Sequence, residues 1–181
     1  MVFAKKDKLY LIGFMGSGKS TLGKKIARSL NYEFFDLDQA IESYAGASVS
    51  SIFQTQGEIG FRLLESECLS HFNNNKNIVI ATGGGTPCFY HNMEMMLQNG
   101  CCVYIKMPEG ALYQRLYKAS PKRPLLVDKN EEELRDYIHE LLLQREETYL
   151  KSHLIIDGMS VDTNSLVGVL KHKMIPNPAL R

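Results

Sequence analysis

The stretch that most constrains this chain is Gly13-Phe14-Met15-Gly16-Ser17-Gly18-Lys19-Ser20-Thr21. It follows the apolar run Leu9-Tyr10-Leu11-Ile12 and precedes helix-like residues from Leu22 to Leu30. G-x-x-x-x-G-K-[ST] between a strand and a helix is a P-loop. Its glycines let backbone N–H groups turn inward around a phosphate chain, and the helix behind adds the positive end of its dipole. Lys19 can then reach the outer phosphates, and the Ser20 hydroxyl can bind Mg²⁺. Gly16, Ser17, Gly18, Lys19, Ser20 and Thr21 are the expected nucleotide site. What receives the phosphate must be read elsewhere.

The rest of the chain alternates strand-like with helix-like stretches, as βαβ units of a parallel sheet do. The expected strands are Lys8 to Ile12, Tyr32 to Phe35, Asn77 to Ala81, Cys101 to Lys106 and His153 to Ile156. Their near-continuous apolar character suits strands covered on both faces. Helical spacing of apolar residues is clear in Leu22 to Leu30, Gly57 to Phe72 and Glu131 to Leu150. The tail from Lys173, with Pro176 and Pro178, reads as a frayed end.

At 181 residues the chain is expected to form one domain. A net charge of +1 supplies no field toward nucleic acid or membrane. No apolar run approaches the roughly 18 residues of a membrane span, and Met1 to Lys8 lacks a signal-peptide core. Cys68, Cys88, Cys101 and Cys102 fit neither a disulfide framework nor a zinc ribbon. Reduced thiols, a cytoplasmic location and a monomer are expected.

In a parallel sheet, ligands bind along the edge formed by the strand C-termini. That edge should carry Asp36-Leu37-Asp38 after the second strand and Thr82-Gly83-Gly84-Gly85-Thr86 after the third. In extended backbone Asp36 and Asp38 point to the same side. Beside a nucleotide they suit a metal-holding carboxylate and a base for the attacking hydroxyl; the alternative is that they merely cap a turn and the helix starting near Gln39. The glycine run either lets backbone N–H groups approach a ligand or is simply flexible. Arg145 lies on the apolar stripe of its helix and so needs an anion, from a carboxylate or a ligand. Arg62 could pair with Glu58 or Glu65. Arg123, in Ser120-Pro121-Lys122-Arg123-Pro124, belongs to a basic lid or a plain surface loop.

Taken together, these residues resemble the shikimate kinases. Phe35-Asp36-Leu37-Asp38 with Ile41-Glu42, Ile52-Phe53, Gly57-Glu58 with Phe61-Arg62 and Glu65, Ala81-Thr82-Gly83-Gly84-Gly85, Arg123-Pro124-Leu125-Leu126 and Arg145 with Tyr149 are similar to that family's motifs, in the same order. The resemblance implies a three-layer α/β/α P-loop kinase fold, related to nucleoside monophosphate kinases. Its five-stranded parallel sheet would run in order 2-3-1-4-5, with a substrate-binding region over residues 36–65, a lid over 118–129 and a frayed tail over 174–181. It implies transfer of phosphate from ATP to the 3-hydroxyl of shikimate, within aromatic amino-acid biosynthesis. Asp38, Arg62, Gly84, Gly85 and Arg145 would bind shikimate, with Asp38 orienting or deprotonating the hydroxyl. Lys19 and Arg123 would stabilise the phosphoryl group, and Ser20, with Asp36 through water, would position Mg²⁺. Where the family commonly carries an adenine-stacking arginine this chain has Leu116, with Arg115 one residue away and Lys118 nearby, and Ser160 to Ser165 has no basic residue. A gluconate or nucleoside monophosphate kinase, and a nucleotide-binding module without turnover, are the alternatives.

Overall fold

Side chains of successive strand residues point to opposite faces of a sheet, so the fully apolar run at Leu9 to Ile12 requires a cover on both sides. A computed structural model, which describes residues 7–119 and 130–174, supplies both. Parallel strands β1 (Lys8–Ile12), β2 (Glu33–Asp36), β3 (Ile78–Ala81), β4 (Cys101–Lys106) and β5 (Leu154–Asp157) stand in the order β2-β3-β1-β4-β5. Their limits agree with the sequence expectation to within one residue at each end.

Leu9 and Leu11 turn to the face covered by α1 (Lys19–Leu30) and α7 (Thr163–Met174), where they meet Ile26, Ala27 and Leu170. Tyr10 and Ile12 turn to the opposite face. There they join residues of α2 (Leu37–Ala45), α3 (Val49–His71) and α4 (Asn92–Asn99), including Ile41, Phe61 and Met96. Leu9 to Ile12, four of the five β1 side chains, are fully buried, each contributing roughly 2 kcal/mol of apolar burial. At the C-terminal edge, Phe14 and Met107 form a third cluster with α5 (Glu109–Ala119) and α6 (Glu131–Leu150).

Two expectations change. The helix expected from Gly57 is present but is preceded by a further helical run from Val49, and the two meet at Gly57, whose φ 68° and ψ −174° are a conformation only glycine adopts readily. The tail does not fray at Lys173 or Met174. Leu166, Leu170 and Met174 recur at four-residue spacing, and that stripe keeps α7 packed on the sheet through Met174. Arg123 and residues 120–129 of the expected lid lie outside the described residues, as do residues 175–181.

Candidate active site

The loop after β1 is bent by glycines with positive φ at Gly13, Gly16 and Gly18, and Gly18 caps α1 from the left-handed region. A side chain at Gly13 would place its Cβ 2.8 Å from the Ile105 carbonyl oxygen, so the β1–β4 contact also excludes one there. Lys19 is buried and donates to the Gly13 and Phe14 carbonyls at 2.7 and 2.8 Å. That places its ammonium inside the loop a phosphate chain would fill.

A cavity of about 260 Å³ opens here. Met15, Gly16, Gly18, Lys19, Ser20 and Thr21 wall it on one side, and Asp36, Asp38, Thr82, Gly83 and Gly84 on the other. The sheet order explains the pairing. β1 and β3 are neighbours, and Thr82 ties their ends by donating both its N–H and its hydroxyl to the Leu11 carbonyl, at 3.2 and 3.0 Å.

Asp36 keeps extended backbone at the end of β2, but Asp38 already lies in the first turn of α2, so the two do not share one extended stretch as the sequence suggested. Asp36 is the N-cap of α2, and one of its oxygens accepts from the Asp38 N–H at 3.2 Å. Its other oxygen accepts from the Ser20 hydroxyl at 2.6 Å. Helix cap and partner of the P-loop serine are therefore one residue. Asp38, in the first turn of α2, faces the same cavity. The Ser17 hydroxyl is buried and has no hydrogen-bond partner among the described residues.

The three glycines after β3 have ordinary φ values, so conformational freedom is not why they are glycine. Space is. A Cβ on Gly83 would lie 2.7 Å from Glu65 Oε1 and 3.2 Å from Asp38 Oδ1. One on Gly84 would lie 3.1 Å from the Met15 nitrogen, and one on Gly85 2.6 Å from Arg62 Nη2. The volume of three missing side chains is filled by functional groups of α2, α3 and the P-loop.

Arg62 and Arg145 flank this run. Arg62 is buried, with Nη1 on Glu65 Oε2 at 2.9 Å and Nη2 on Glu58 Oε1 at 3.2 Å; its guanidinium lies 4.3 Å from the centre of the Phe89 ring. Glu65 is fully buried and also accepts the Thr86 hydroxyl at 2.5 Å. Burial pushes its carboxyl above the usual range, against the opposing pull of Arg62 and Thr86. Arg145 differs. It is buried, stands 3.7 Å from the Gly84 Cβ position, and pairs with no carboxylate among the described residues. An unpaired buried guanidinium is costly unless an anion arrives.

Sequence reasoning missed Thr86 as a site residue, and nothing in a single threonine after three glycines signals a carboxylate partner 21 positions earlier. It also left the adenine-contacting residue open between Arg115 and Lys118. Arg115 reaches the loop, donating from Nη1 to the Gly16 carbonyl at 3.1 Å, while Leu116 is buried against Gly16. A second cleft of about 300 Å³ between α5 and α6 holds no P-loop residue. Its His139 already pairs with Glu109, and its Arg135 stacks on Tyr113.

The family model "Shikimate kinase" matches residues 15–171. Similar curated proteins include a shikimate kinase of Phocaeicola vulgatus, 43% identical over 145 residues, which are 80% of this chain and 83% of that protein. Another, from Azobacteroides pseudotrichonymphae, is 38% identical over 92% of this chain and 99% of its own length. Among solved structures, a shikimate kinase from Bacteroides thetaiotaomicron superposes with a TM-score of 0.85 at 38% identity, covering 92% of this chain and 97% of that one. One from Acinetobacter baumannii, in complex with shikimate, gives 0.83 at 33% identity, over 99% and 98%.

Proposed function

The chain belongs to the shikimate kinase family, and from that premise we propose how its residues divide the reaction. The enzyme transfers the terminal phosphoryl group of ATP to the 3-hydroxyl of shikimate, giving shikimate 3-phosphate and ADP for aromatic biosynthesis. The observation that carries the assignment of residues is Arg145. A buried guanidinium beside Gly84, with no carboxylate partner among the described residues, calls for an acidic acceptor rather than a neutral one.

In this reading the shikimate carboxylate lies between Arg62 and Arg145, with Gly84 and Gly85 giving it close backbone approach. The acceptor hydroxyl then faces Asp38, which takes its proton as the oxygen attacks the γ-phosphorus and the bond to ADP breaks. Lys19 leaves its carbonyl contacts to meet the phosphates, and Arg123 supplies a second positive charge. Arg115, which donates to the Gly16 carbonyl, meets the adenine in this reading.

Ser20 and Asp36 fit Mg²⁺, which prefers one or two protein oxygens with phosphates and waters over an all-protein cage. No cluster of three His, Cys, Asp or Glu residues offers such a cage among the described residues. When bound, the ion neutralises charge on the β- and γ-phosphates. Residues 36–65 form the acceptor-binding region of one domain. The reading is of a monomer, and four free cysteines suit the cytosol. No helix among the described residues is long and apolar enough to cross a membrane.

A coupled assay of ADP release tests the proposal with shikimate, gluconate and nucleoside monophosphates as acceptors. Mg²⁺-dependent turnover with shikimate alone is expected. Turnover with another acceptor and none with shikimate would overturn it.

A further inference from the structure

Tyr149 follows Arg145 by four residues on α6, so both side chains leave the helix on one face. The tyrosine is 0% exposed, with its ring 5.1 Å from that of Tyr104. Its hydroxyl donates to the Gly84 carbonyl at 2.5 Å, across 65 residues of sequence. The Arg145 guanidinium faces the same hydroxyl and works against the rise in its pKa that burial causes. Gly84 in turn abuts Met15 of the P-loop.

A buried tyrosine hydroxyl needs a partner. Here the partner is the peptide between the donor and acceptor halves of the site, and the neighbour on the other side is the acid-binding arginine. We propose that Tyr149 is a positioning residue. Its hydroxyl fixes the Gly84 peptide and the Arg145 guanidinium in one arrangement, so that the carboxylate of the acceptor meets a site already formed. The inference rests on the assignment of Arg145 to that carboxylate. Without the hydroxyl, a glycine peptide can turn and a long side chain without a carboxylate partner can change rotamer. Both must then be ordered when substrate binds, which weakens binding.

Y149F keeps the ring against Tyr104 and removes one oxygen. Steady-state kinetics of Y149F, R145M and the double variant test the proposal. In Y149F the KM for shikimate should rise about tenfold, with kcat and the KM for ATP within about twofold of wild type. In the R145M background, Y149F should add less than about twofold, because the arrangement it protects is gone. An unchanged shikimate KM in Y149F, an equal rise for both substrates, or penalties that multiply in the double variant would overturn it. So would failure of Y149F to fold, which would make the hydroxyl a stability group. If R145M alone leaves the shikimate KM unchanged, the assignment of Arg145 fails, and the proposal with it.

Discussion

The carboxylate of Glu65 holds the Arg62 guanidinium at 2.9 Å from a position with no exposure to solvent. A buried ion pair loses most when one partner is removed, because the other charge is left uncompensated. E65Q should therefore destabilise the fold by about 3 kcal/mol and raise the KM for shikimate, leaving the KM for ATP near wild type. Denaturant unfolding and steady-state kinetics on the same preparation check this. Wild-type stability in E65Q would mean that Glu58 alone suffices for Arg62.

Arg145 should behave in the opposite way. It has no carboxylate partner among the described residues, so R145M removes a desolvated charge without stranding another. Stability should hold or rise by about 1 kcal/mol. The KM for shikimate should increase about 30-fold or more, the scale of a lost charge-assisted hydrogen bond. Thermal melts of both variants side by side make the contrast visible. A loss in R145M as large as in E65Q would point to a protein anion for this residue.

Asp38 faces the cavity from the first turn of α2. D38N keeps its size and removes its capacity to accept a proton. It should lower kcat by about 10²- to 10⁴-fold, while ATP binding measured by titration stays nearly intact. Near wild-type turnover would remove Asp38 from the role of base.

The crowding around the glycine run separates two neighbouring substitutions. In G85A the new methyl meets the Arg62 guanidinium, 2.6 Å away, so shikimate binding should suffer alone. In G84A it meets the backbone nitrogen of Met15 at 3.1 Å and lies near Arg145, so the KM values of both substrates should rise. Equal effects on both substrates in G85A would contradict the division of the site.

Acid should loosen α7. Asp162 accepts from the Ser165 hydroxyl, from the Ser165 N–H at 2.9 Å and from the Asn164 N–H at 3.4 Å, and these bonds, the hydroxyl's first, hold its carboxyl below the usual value. A depressed folded-state pKa gives stability that is present above the unfolded value of about 3.8 and lost as pH falls through the folded one. D162A should melt a few degrees lower than wild type at neutral pH, and the difference should shrink below about pH 4. A gap that persists at pH 2 would exclude the carboxylate as its source.

The sheet was legible because its strands are short, apolar and bounded by polar or glycine residues, and the P-loop because its function demands a fixed spacing. Arg145 was legible as a cation on an apolar stripe. The Thr86–Glu65 bond was not, since it joins α3 to the turn after β3 and leaves no local periodicity. Nor was the reason for Gly83 to Gly85: a run of glycines looks the same whether it yields space to a ligand or to the protein's own side chains. The aspartates show a related limit. Two residues apart, they face one side in a strand, but a helix begins between them, and both still reach the cavity by another geometry.

The tie between Thr82 and Leu11 gives the enzyme a ruler. The loop that grips the phosphate and the loop that grips the acceptor grow from adjacent strands, whose axes are about 4.8 Å apart in any sheet. That interval is set by backbone hydrogen bonds and is indifferent to side-chain identity. Substitutions on α3 and α6 can therefore change the side chains around the glycine run while the spacing between that run and the P-loop keeps its length.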